Sequence, residues 1–185
     1  MREQIAAAAL VMFDDQGFEE TTVDQIAAAV DISPRSFFRY FPAKEDVVLG
    51  DPMVYVEPVL ARLTDALRSL PVWEAVRAGF APLDAMTAAD PAGSLRALRV
   101  MLSTPALRAR NTEKHLAWMT VLVPIVTGAL PGPAEGKEFR ARAVVMCSLT
   151  CLDVCVAEWV HRGGSVPFTQ LLDDIFALLK PAVLA

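Results

Sequence analysis

Residues 21–44 read TTVDQIAAAVDISPRSFFRYFPAK, which has the pattern of two short helices joined by a tight turn. Thr22 is placed to cap the first helix. The apolar residues of that helix recur at the spacing of one buried stripe, at Val23, Ile26, Ala27 and Val30. Ser33 can cap the second helix, Pro34 suits its first position because an N–H is not needed there, and Pro42 prevents its continuation. The stretch therefore predicts a helix-turn-helix.

The second of these helices carries cationic and polar side chains close to its N-terminus. Arg35, Ser36 and Arg39 are spaced i, i+1 and i+4, so they share the part of the helix that can face a DNA groove. Arginine bonds guanine with two hydrogen bonds, which is worth about 1–3 kcal/mol of discrimination. The chain as a whole has a net charge of −5, which argues against unspecific nucleic-acid binding. The spacing thus indicates a local DNA-reading surface on an acidic protein.

From Gly17 to Val48 the sequence GFEETTVDQIAAAVDISPRSFFRYFPAKEDVV resembles the DNA-binding domain of the TetR family of bacterial transcriptional regulators. The resemblance lies in an ordered series of short motifs: GF, TTV, IA, S-P, an aromatic pair, YF and K-E. It implies that four residues read bases, namely Pro34, Arg35, Ser36 and Arg39. It also implies that three residues contact phosphates, namely Thr22, Tyr40 and Lys44.

Two features depart from the pattern of that family. Phe38 stands where the family usually has a phosphate-binding tyrosine, so this contact is lost or moves to Tyr40. The basic arm that often precedes the first helix is not seen ahead of it in this sequence.

The composition is unusually apolar, with 54% hydrophobic residues. So much apolar surface has to be buried, either in a membrane or against a second copy of the chain. Residues 5–13 could imitate the core of a signal peptide, but their helical spacing and Gly17 favour an ordinary helix. Residues 143–160 reach the length of a membrane span. Asp153 and Glu158 interrupt them, however, and a charge at a span centre costs about 2.5–3.5 kcal/mol. A buried interface helix is therefore the preferred interpretation.

The predicted fold class is all-α. Residues 1–48 are expected to form a three-helix helix-turn-helix domain with a small core of Phe13, Phe18, Phe37 and Phe41. Residues 49–185 are expected to form an antiparallel helical bundle for ligand binding and dimerisation. Its helices are predicted at 56–70, 71–88, 94–103, 105–129, 136–162 and 167–183, with the first of them connecting the two domains.

The bundle contains large and flexible apolar side chains that could line a ligand pocket, although they could equally form a helical core. They are Trp73, Phe80, Met86, Met101, Leu102, Trp118, Met119 and Leu122. The pocket itself is implied by the TetR resemblance, because the C-terminal domain of that family binds an inducer. Few charges occur in this set, so the expected effector is apolar. The segment RSFFRYFPAKEDVV is also similar to the corresponding segment of an actinobacterial subgroup of the family, in which fatty acyl-CoA effectors occur.

Cys147, Cys151 and Cys155 follow one another at four-residue spacing. Zinc sites usually have four ligands with different cysteine spacing, so we predict reduced thiols that pack on a helix face and no metal site. The last two helices present wide apolar faces, which predict a four-helix dimer interface. Its expected residues are Val144, Ser148, Cys151, Leu152, Cys155, Trp159, Phe168, Leu172, Ile175 and Phe176.

No GxSxG, GxGxxG or GxxxxGK[ST] motif occurs, and two histidines offer few candidates for acid–base chemistry, so neither an enzyme nor a cofactor is expected. The combined prediction is a cytoplasmic, homodimeric transcriptional regulator of the repressor type. It would bind a palindromic operator and be released by an apolar small molecule. Two alternatives are a helical small-molecule binding protein without sequence-specific DNA affinity and a membrane-associated protein.

Overall fold

The computed structural model describes residues 1–50 and 52–184, and over these ranges its regular structure is helical. The helices are α1 (Arg2–Gln16), α2 (Val23–Ala29), α3 (Pro34–Tyr40), α4 (Asp46–Leu49), α5 (Pro52–Ala66), α6 (Val72–Gly79), α7 (Ala81–Ala89), α8 (Pro91–Ser103), α9 (Pro105–Ala129), α10 (Lys137–His161) and α11 (Phe168–Leu184). The predicted all-α class with an N-terminal helix-turn-helix is confirmed.

The helices gather into two compact units. The first unit comprises Met1–Asp51 and Ala92–Glu113, and the second comprises Pro52–Pro91 and Lys114–Ala185. Residues 92–113 therefore pack with the N-terminal helices, whereas the division made from the sequence placed everything after residue 48 in the C-terminal domain. Local periodicity identifies a helix but not its distant packing partner, so the sequence carried no signal for this grouping.

The core of the first unit is built around aromatic rings. The four phenylalanines predicted to form it are all buried: Phe13, Phe18, Phe37 and Phe41. The rings of Phe37 and Phe41 lie 5.7 Å apart between centroids, a separation typical of packed aromatic pairs. Val100 of α8 and Leu107 of α9 join the same core, which explains why these later segments belong to the first unit.

Both predicted helix caps are present. The Thr22 hydroxyl accepts a hydrogen bond from the Gln25 backbone N–H at 3.2 Å, and the Gln25 side chain accepts one in return from the Thr22 N–H at 2.8 Å. The Ser33 hydroxyl accepts from the Ser36 N–H at 3.1 Å. Between the two helices Asp31 adopts φ of 54°, a left-handed conformation that aspartate tolerates better than most residues. These caps satisfy backbone donors that short helices would otherwise leave unpaired.

The second unit is held together by close helix packing and by an aromatic cluster. A Cβ atom at Gly79 would lie 3.2 Å from the Leu63 Cβ, so the glycine lets α6 approach α5 closely. The Trp73 ring stacks on Phe176 with centroids 4.5 Å apart, and the Trp73 indole N–H donates to the Phe176 carbonyl at 2.9 Å. Phe80 meets the same ring edge-on at 6.1 Å, so α6 and α11 share one core.

Two predicted helices differ from the structure more than the others do. The helix predicted over 71–88 is divided into α6 and α7, because Pro82 in the first turn of α7 has no N–H to continue the ladder of α6. The connecting helix predicted over 56–70 runs over Pro52–Ala66 instead. Pro71 disfavours helical backbone in the residue before it, and Leu70 is consequently outside the helix and exposed.

Adjacent phenylalanines of α3 provide a test of the first core. Phe37 is fully buried and Phe38 is 52% exposed. Phe37→Ala should lower the free energy of unfolding by about 3–5 kcal/mol, because it opens a cavity in the core. Phe38→Ala should change it by no more than about 0.5 kcal/mol. Urea unfolding of both variants checks this, and similar losses for the two would contradict the assignment.

Candidate DNA interface and effector region

The predicted DNA-contacting residues lie on and beside α3 at the surface of the first unit. Thr22, Pro34, Arg35 and Arg39 are exposed, while Ser36, Tyr40 and Lys44 are half-buried. The Ser36 hydroxyl lies 3.0 Å from that of Ser33, so part of its hydrogen-bonding capacity is used inside the cap. The two arginines are thus the cationic side chains of α3 that are open to solvent.

Arg2 holds the other end of α3, a role that the sequence analysis did not foresee. Its guanidinium donates to the Tyr40 carbonyl at 2.6 Å and lies 4.4 Å above the Phe41 ring. This contact satisfies a carbonyl in the last turn of the helix and brings another cation close to it. A local pattern could not have found it, because the two residues are 38 positions apart.

Lys44 is tied to the turn between α1 and α2. Its ammonium donates to the Phe18 carbonyl at 2.7 Å and to the Thr21 carbonyl at 3.0 Å, and it lies 4.2 Å from the centre of the Phe18 ring. Two of its three N–H donors are used in this way. The lysine therefore acts as a structural clamp whose charge is fixed beside Thr22.

Phe38 is an exposed aromatic residue on α3, half of whose surface faces solvent. A phenylalanine on a recognition helix can contact the methyl group of thymine. The family pattern predicts only a lost tyrosine contact at this position, but a second phenylalanine beside the buried Phe37 is itself a signal for an outward-facing apolar contact.

The residues predicted to line a ligand pocket do not come together as one set. Trp73 and Phe80 are buried around Phe176, and Trp118 and Leu122 are buried on α9. Of the other four, Met86 is 49% exposed, and Met101 and Leu102 belong to the first unit. Met119 lines an open groove of about 330 Å³ whose walls are Leu116, Met119, Thr120, Val123, Pro124, Glu138 and Arg142.

The predicted dimer-interface residues lie inside the single chain. Nine of the ten are buried against its own helices: Val144, Ser148, Cys151, Leu152, Cys155, Trp159, Phe168, Leu172 and Phe176. Ile175 is half-buried. A side chain already covered within its own chain is not available to a partner, so this face is the intramolecular face of α10 and α11. The sequence pattern located an apolar face correctly but could not tell which neighbour covers it.

A second, outward apolar face of α10 is uncovered in the single chain. We call it the outer stripe, and it consists of Phe139, Ala143, Met146, Thr150, Val154 and Ala157. Phe139 is 76% exposed and Val154 50% exposed. Among the described residues, α10 is the helix whose length and composition would allow it to cross a membrane. Half of that apolar stretch is buried, as in a core helix, so the observation is weak support for a span.

The three cysteines of α10 are free and lie in two environments. Cys147 is exposed next to the outer stripe, whereas Cys151 and Cys155 are buried. Burial raises the pKa of Cys151 to about 11 and that of Cys155 to about 12. Both are thiols at neutral pH and unreactive as nucleophiles. Over residues 1–50 and 52–184, no three His, Cys, Asp or Glu side chains are grouped to hold a metal ion.

A small group of ionisable residues interrupts the apolar interior of the second unit. His115 of α9 is 8% exposed, and its Nδ1 lies 3.3 Å from the Asp153 Oδ2 on α10. The ammonium of Lys114 lies 5.6 Å from the centre of the Trp118 ring. Burial lowers the pKa of Lys114 to about 8, although the Asp153 charge acts in the opposite direction. In the sequence Asp153 interrupts an apolar run, and this interruption is the signal for the buried ionisable group.

Two family models match the chain. One, described as bacterial regulatory proteins of the TetR family, matches residues 5–50. The other, described as the MftR C-terminal domain, matches residues 70–184. The helix α5 falls entirely between the two matched ranges.

Named relatives cover nearly the whole chain. The transcriptional regulator TcmR of Streptomyces glaucescens is 32% identical over 94% of this chain and 82% of its own length. The putative mycofactocin biosynthesis regulator MftR of Mycobacterium tuberculosis is 26% identical over 93% and 85%. The crystal structure of the TetR-family repressor FadR of Thermus thermophilus in complex with lauroyl-CoA shares the fold, with a TM-score of 0.58 at 23% identity, over 100% of this chain and 96% of that one. These relatives are described as transcriptional regulators and not as enzymes.

The clamp formed by Lys44 can be tested separately from any role in DNA binding. Lys44→Met removes two charge-assisted hydrogen bonds and should lower the free energy of unfolding by roughly 1.5–3 kcal/mol. Arg39→Met removes an exposed cation and should change it by less than about 0.5 kcal/mol. Urea titrations give both values. A Lys44→Met variant as stable as the parent would mean that the clamp contributes nothing.

Proposed function

Because the chain belongs to the TetR family of bacterial regulatory proteins, we propose that α3 reads an operator and that the second unit joins two copies and binds an effector. Membership confirms the family predicted from residues 17–48 and identifies the protein as a ligand-responsive transcriptional repressor. A helical binding protein without sequence-specific DNA affinity is not favoured. A cytoplasmic location follows from the need to reach chromosomal DNA.

The observation that carries the operator-binding proposal is a short helix fixed at both ends with exposed arginines between them. Ser33 caps the start of α3 and Arg2 bonds the carbonyl of Tyr40 at its end. Arg35 and Arg39 remain exposed on the surface between these two anchors. Rigid presentation lowers the entropy lost when the side chains engage bases, which supports direct readout in the major groove.

The remaining predicted residues are assigned to the same interface. Pro34 and Ser36 would lie with Arg35 against base edges, and Phe38 would contact a thymine methyl group. Thr22, Tyr40 and Lys44 would contact phosphates. Lys44 is already fixed beside Thr22 by its bonds to the carbonyls of Phe18 and Thr21, so the proposed phosphate site is organised before DNA arrives. Arg35, Arg39 and Lys44 together attract the DNA phosphates locally, which the net charge of −5 for the whole chain does not do.

The dimer is proposed to form through the outer stripe of α10. Members of the TetR family act as dimers, and a palindromic operator requires two reading heads about 34–36 Å apart or a multiple of that distance. The outer stripe offers exposed apolar side chains along several turns of one helix, including Phe139, Met146 and Val154. Soluble proteins seldom leave such a continuous apolar face uncovered. This assignment replaces the inward-facing residues that the sequence pattern had suggested.

The effector is proposed to have a largely apolar body. The open groove of the second unit is lined mainly by apolar side chains, among them Leu116, Met119 and Val123. The FadR of Thermus thermophilus is described in complex with lauroyl-CoA, which makes long-chain acyl compounds a reasonable first class to screen. An effector releases DNA only if it binds better to the conformation that fits the operator less well.

Arg35 is expected to provide sequence discrimination. An operator is first obtained by selecting bound duplexes from a random pool. Arg35→Ala should then weaken binding to that operator by roughly 5- to 150-fold, the equivalent of one lost guanine contact, and should affect random DNA much less. Mobility-shift titrations at fixed salt measure both affinities.

A matched control is Arg68→Ala, which removes another exposed arginine, one that lies outside the helix-turn-helix. Its operator affinity should equal that of the parent. If Arg35→Ala binds the selected operator as tightly as the control does, α3 does not read bases through this residue.

A substitution at Val154 tests the proposed dimer interface at the outer stripe. Val154→Asp should be tolerated by the single chain, because the side chain is half exposed, but it should weaken dimerisation by about tenfold or more through burial of an uncompensated carboxylate. Light scattering after size-exclusion chromatography measures the mass at micromolar concentration. Val54→Asp, at a 61% exposed position of α5, is the control and should remain dimeric.

Cys147 reports on the same interface without further mutation, because it is exposed in the single chain next to the outer stripe. Its alkylation should be slow in the parent protein and faster in Val154→Asp. A dimeric Val154→Asp variant whose Cys147 reacts as slowly as in the parent would place the interface elsewhere.

A further inference from the structure

Arg2 of α1 lies at the end of α3, where two contacts hold its guanidinium in place. The Nη1 group donates to the Tyr40 carbonyl at 2.6 Å, and the guanidinium carbon lies 4.4 Å from the centre of the Phe41 ring. A guanidinium has five N–H donors in one plane, so four remain beyond the bond to Tyr40. The residue is exposed. Arg2 is therefore a positioned cation whose other donors can reach a ligand from solvent.

The arginines around α3 are not neutralised by acidic side chains. Over residues 1–50 and 52–184, no Asp or Glu oxygen lies within 4.0 Å of the guanidinium nitrogens of Arg2, Arg35 or Arg39. Arg110, in the same unit, is different, because it pairs with Asp46 at 2.7 Å. The positive charge at α3 is thus left for a partner outside the chain, although the chain as a whole is acidic.

Without Arg2, the last turn of α3 would repel a phosphate. The carbonyl oxygens at the end of a helix carry partial negative charge, because no later N–H of the helix bonds them. Pro42 follows the end of α3 and has no N–H to offer them. The Arg2 guanidinium bonds the carbonyl of Tyr40 and places a full positive charge beside it. The local charge at this end of the helix is therefore reversed.

The length of α3 places its end near the border of a major groove. Arg35 and Tyr40 are five residues apart, which is about 7.5 Å along a helix axis. The major groove is about 12 Å wide, and the phosphates of the two strands border it. When the N-terminal residues of α3 lie against base edges, its other end and the Arg2 guanidinium therefore lie towards one of these strands.

We propose that Arg2 binds a phosphate of the operator backbone while it holds the Tyr40 carbonyl. One guanidinium can donate two parallel N–H bonds to phosphate oxygens, and such charge-assisted bonds are among the stronger hydrogen bonds of proteins. Arg2 then fixes the end of α3 and also attaches the first turn of α1 to the duplex. The inference rests on the proposed function, because it adds a contact to the same DNA interface, and this contact reads no base.

The salt dependence of DNA binding tests this contact. Each neutralised phosphate adds about 0.9 to the slope of log affinity against log salt concentration. Arg2→Gln removes the charge but keeps an N–H donor for the Tyr40 carbonyl, so in a dimer it should lower the slope by roughly 1.8. Its affinity should fall by roughly 2- to 30-fold, for the selected operator and for random duplex alike. Fluorescence anisotropy titrations at several KCl concentrations measure both quantities.

Two variants serve as matched controls. Arg2→Lys keeps the charge and should keep the salt slope of the parent. Arg108→Gln removes another exposed arginine of the first unit, one whose Nη1 donates to the Leu102 carbonyl at 2.8 Å, and it should also keep that slope. Circular dichroism checks the helix content of each variant. If Arg2→Gln is not folded, Arg2→Ala takes its place, because alanine favours helix more strongly.

Operators with a single neutral linkage locate the contact. A methylphosphonate replaces one charged phosphate oxygen by a methyl group, so each modified operator lacks one backbone charge. At one linkage in each half-site, this change should weaken binding of the parent and of Arg2→Lys but not that of Arg2→Gln. A residue that only positions α3 would give a different result: Arg2→Gln would lose operator affinity with an unaltered salt slope and would stay sensitive to every linkage.

Three results would overturn the inference. They are an unchanged salt slope in Arg2→Gln, an equal loss of slope in Arg108→Gln, and a methylphosphonate scan in which each linkage affects the parent and Arg2→Gln by the same factor. Failure of the parent to select any operator would instead reject the proposed function. The slopes measured on random duplex would still test Arg2 in that case, so the two failures are distinguishable.

Discussion

The helix-turn-helix depends on the burial of aromatic rings beneath two helices that are too short to persist alone. The helices α2 and α3 have seven residues each, well below the length at which an isolated helix is stable in water. The side chains of Thr22 and Ser33 cap the N-terminal ends of these helices, and the inner faces of the helices pack on the core around Phe37. The orientation of the arginines of α3 follows from this packing, from the bond that Arg2 makes to the Tyr40 carbonyl and from the contact of Arg39 with the Tyr40 ring.

In the second unit the main constraint is that α10 is apolar on two sides. Its inner face, from Val144 to Trp159, fills the core of its own chain, while its outer stripe is uncovered. A helix of this kind is hydrophobic nearly all round, which is why it also satisfies the length and composition of a membrane span. In the proposed dimer a second copy would cover the outer stripe and remove its apolar side chains from water.

Sequence reasoning was most successful where structure is determined locally. The caps at Thr22 and Ser33 and the position of Pro34 depend on residues within one turn of each other, and all were predicted. The four phenylalanines of the first core come from different segments of the chain, and their burial was also predicted. Sequence reasoning was less successful for distant neighbours. Three features depend on residues that are far apart in the chain. They are the covering of one face of α10, the pairing of His115 with Asp153 and the bond from Arg2 to Tyr40. The break at Phe80 was local, and the proline at position 82 could have revealed it.

The contact between Arg2 and the end of α3 has a practical consequence for handling the protein. The Arg2 guanidinium contacts the Tyr40 carbonyl and the Phe41 ring, so the first turn of α1 lies next to the end of α3. Any purification tag or fluorescent fusion attached ahead of residue 2 would emerge at that place, where it could compete with duplex for space. An affinity handle for biochemical work is better joined by a flexible spacer and removed by a protease before operator binding is measured.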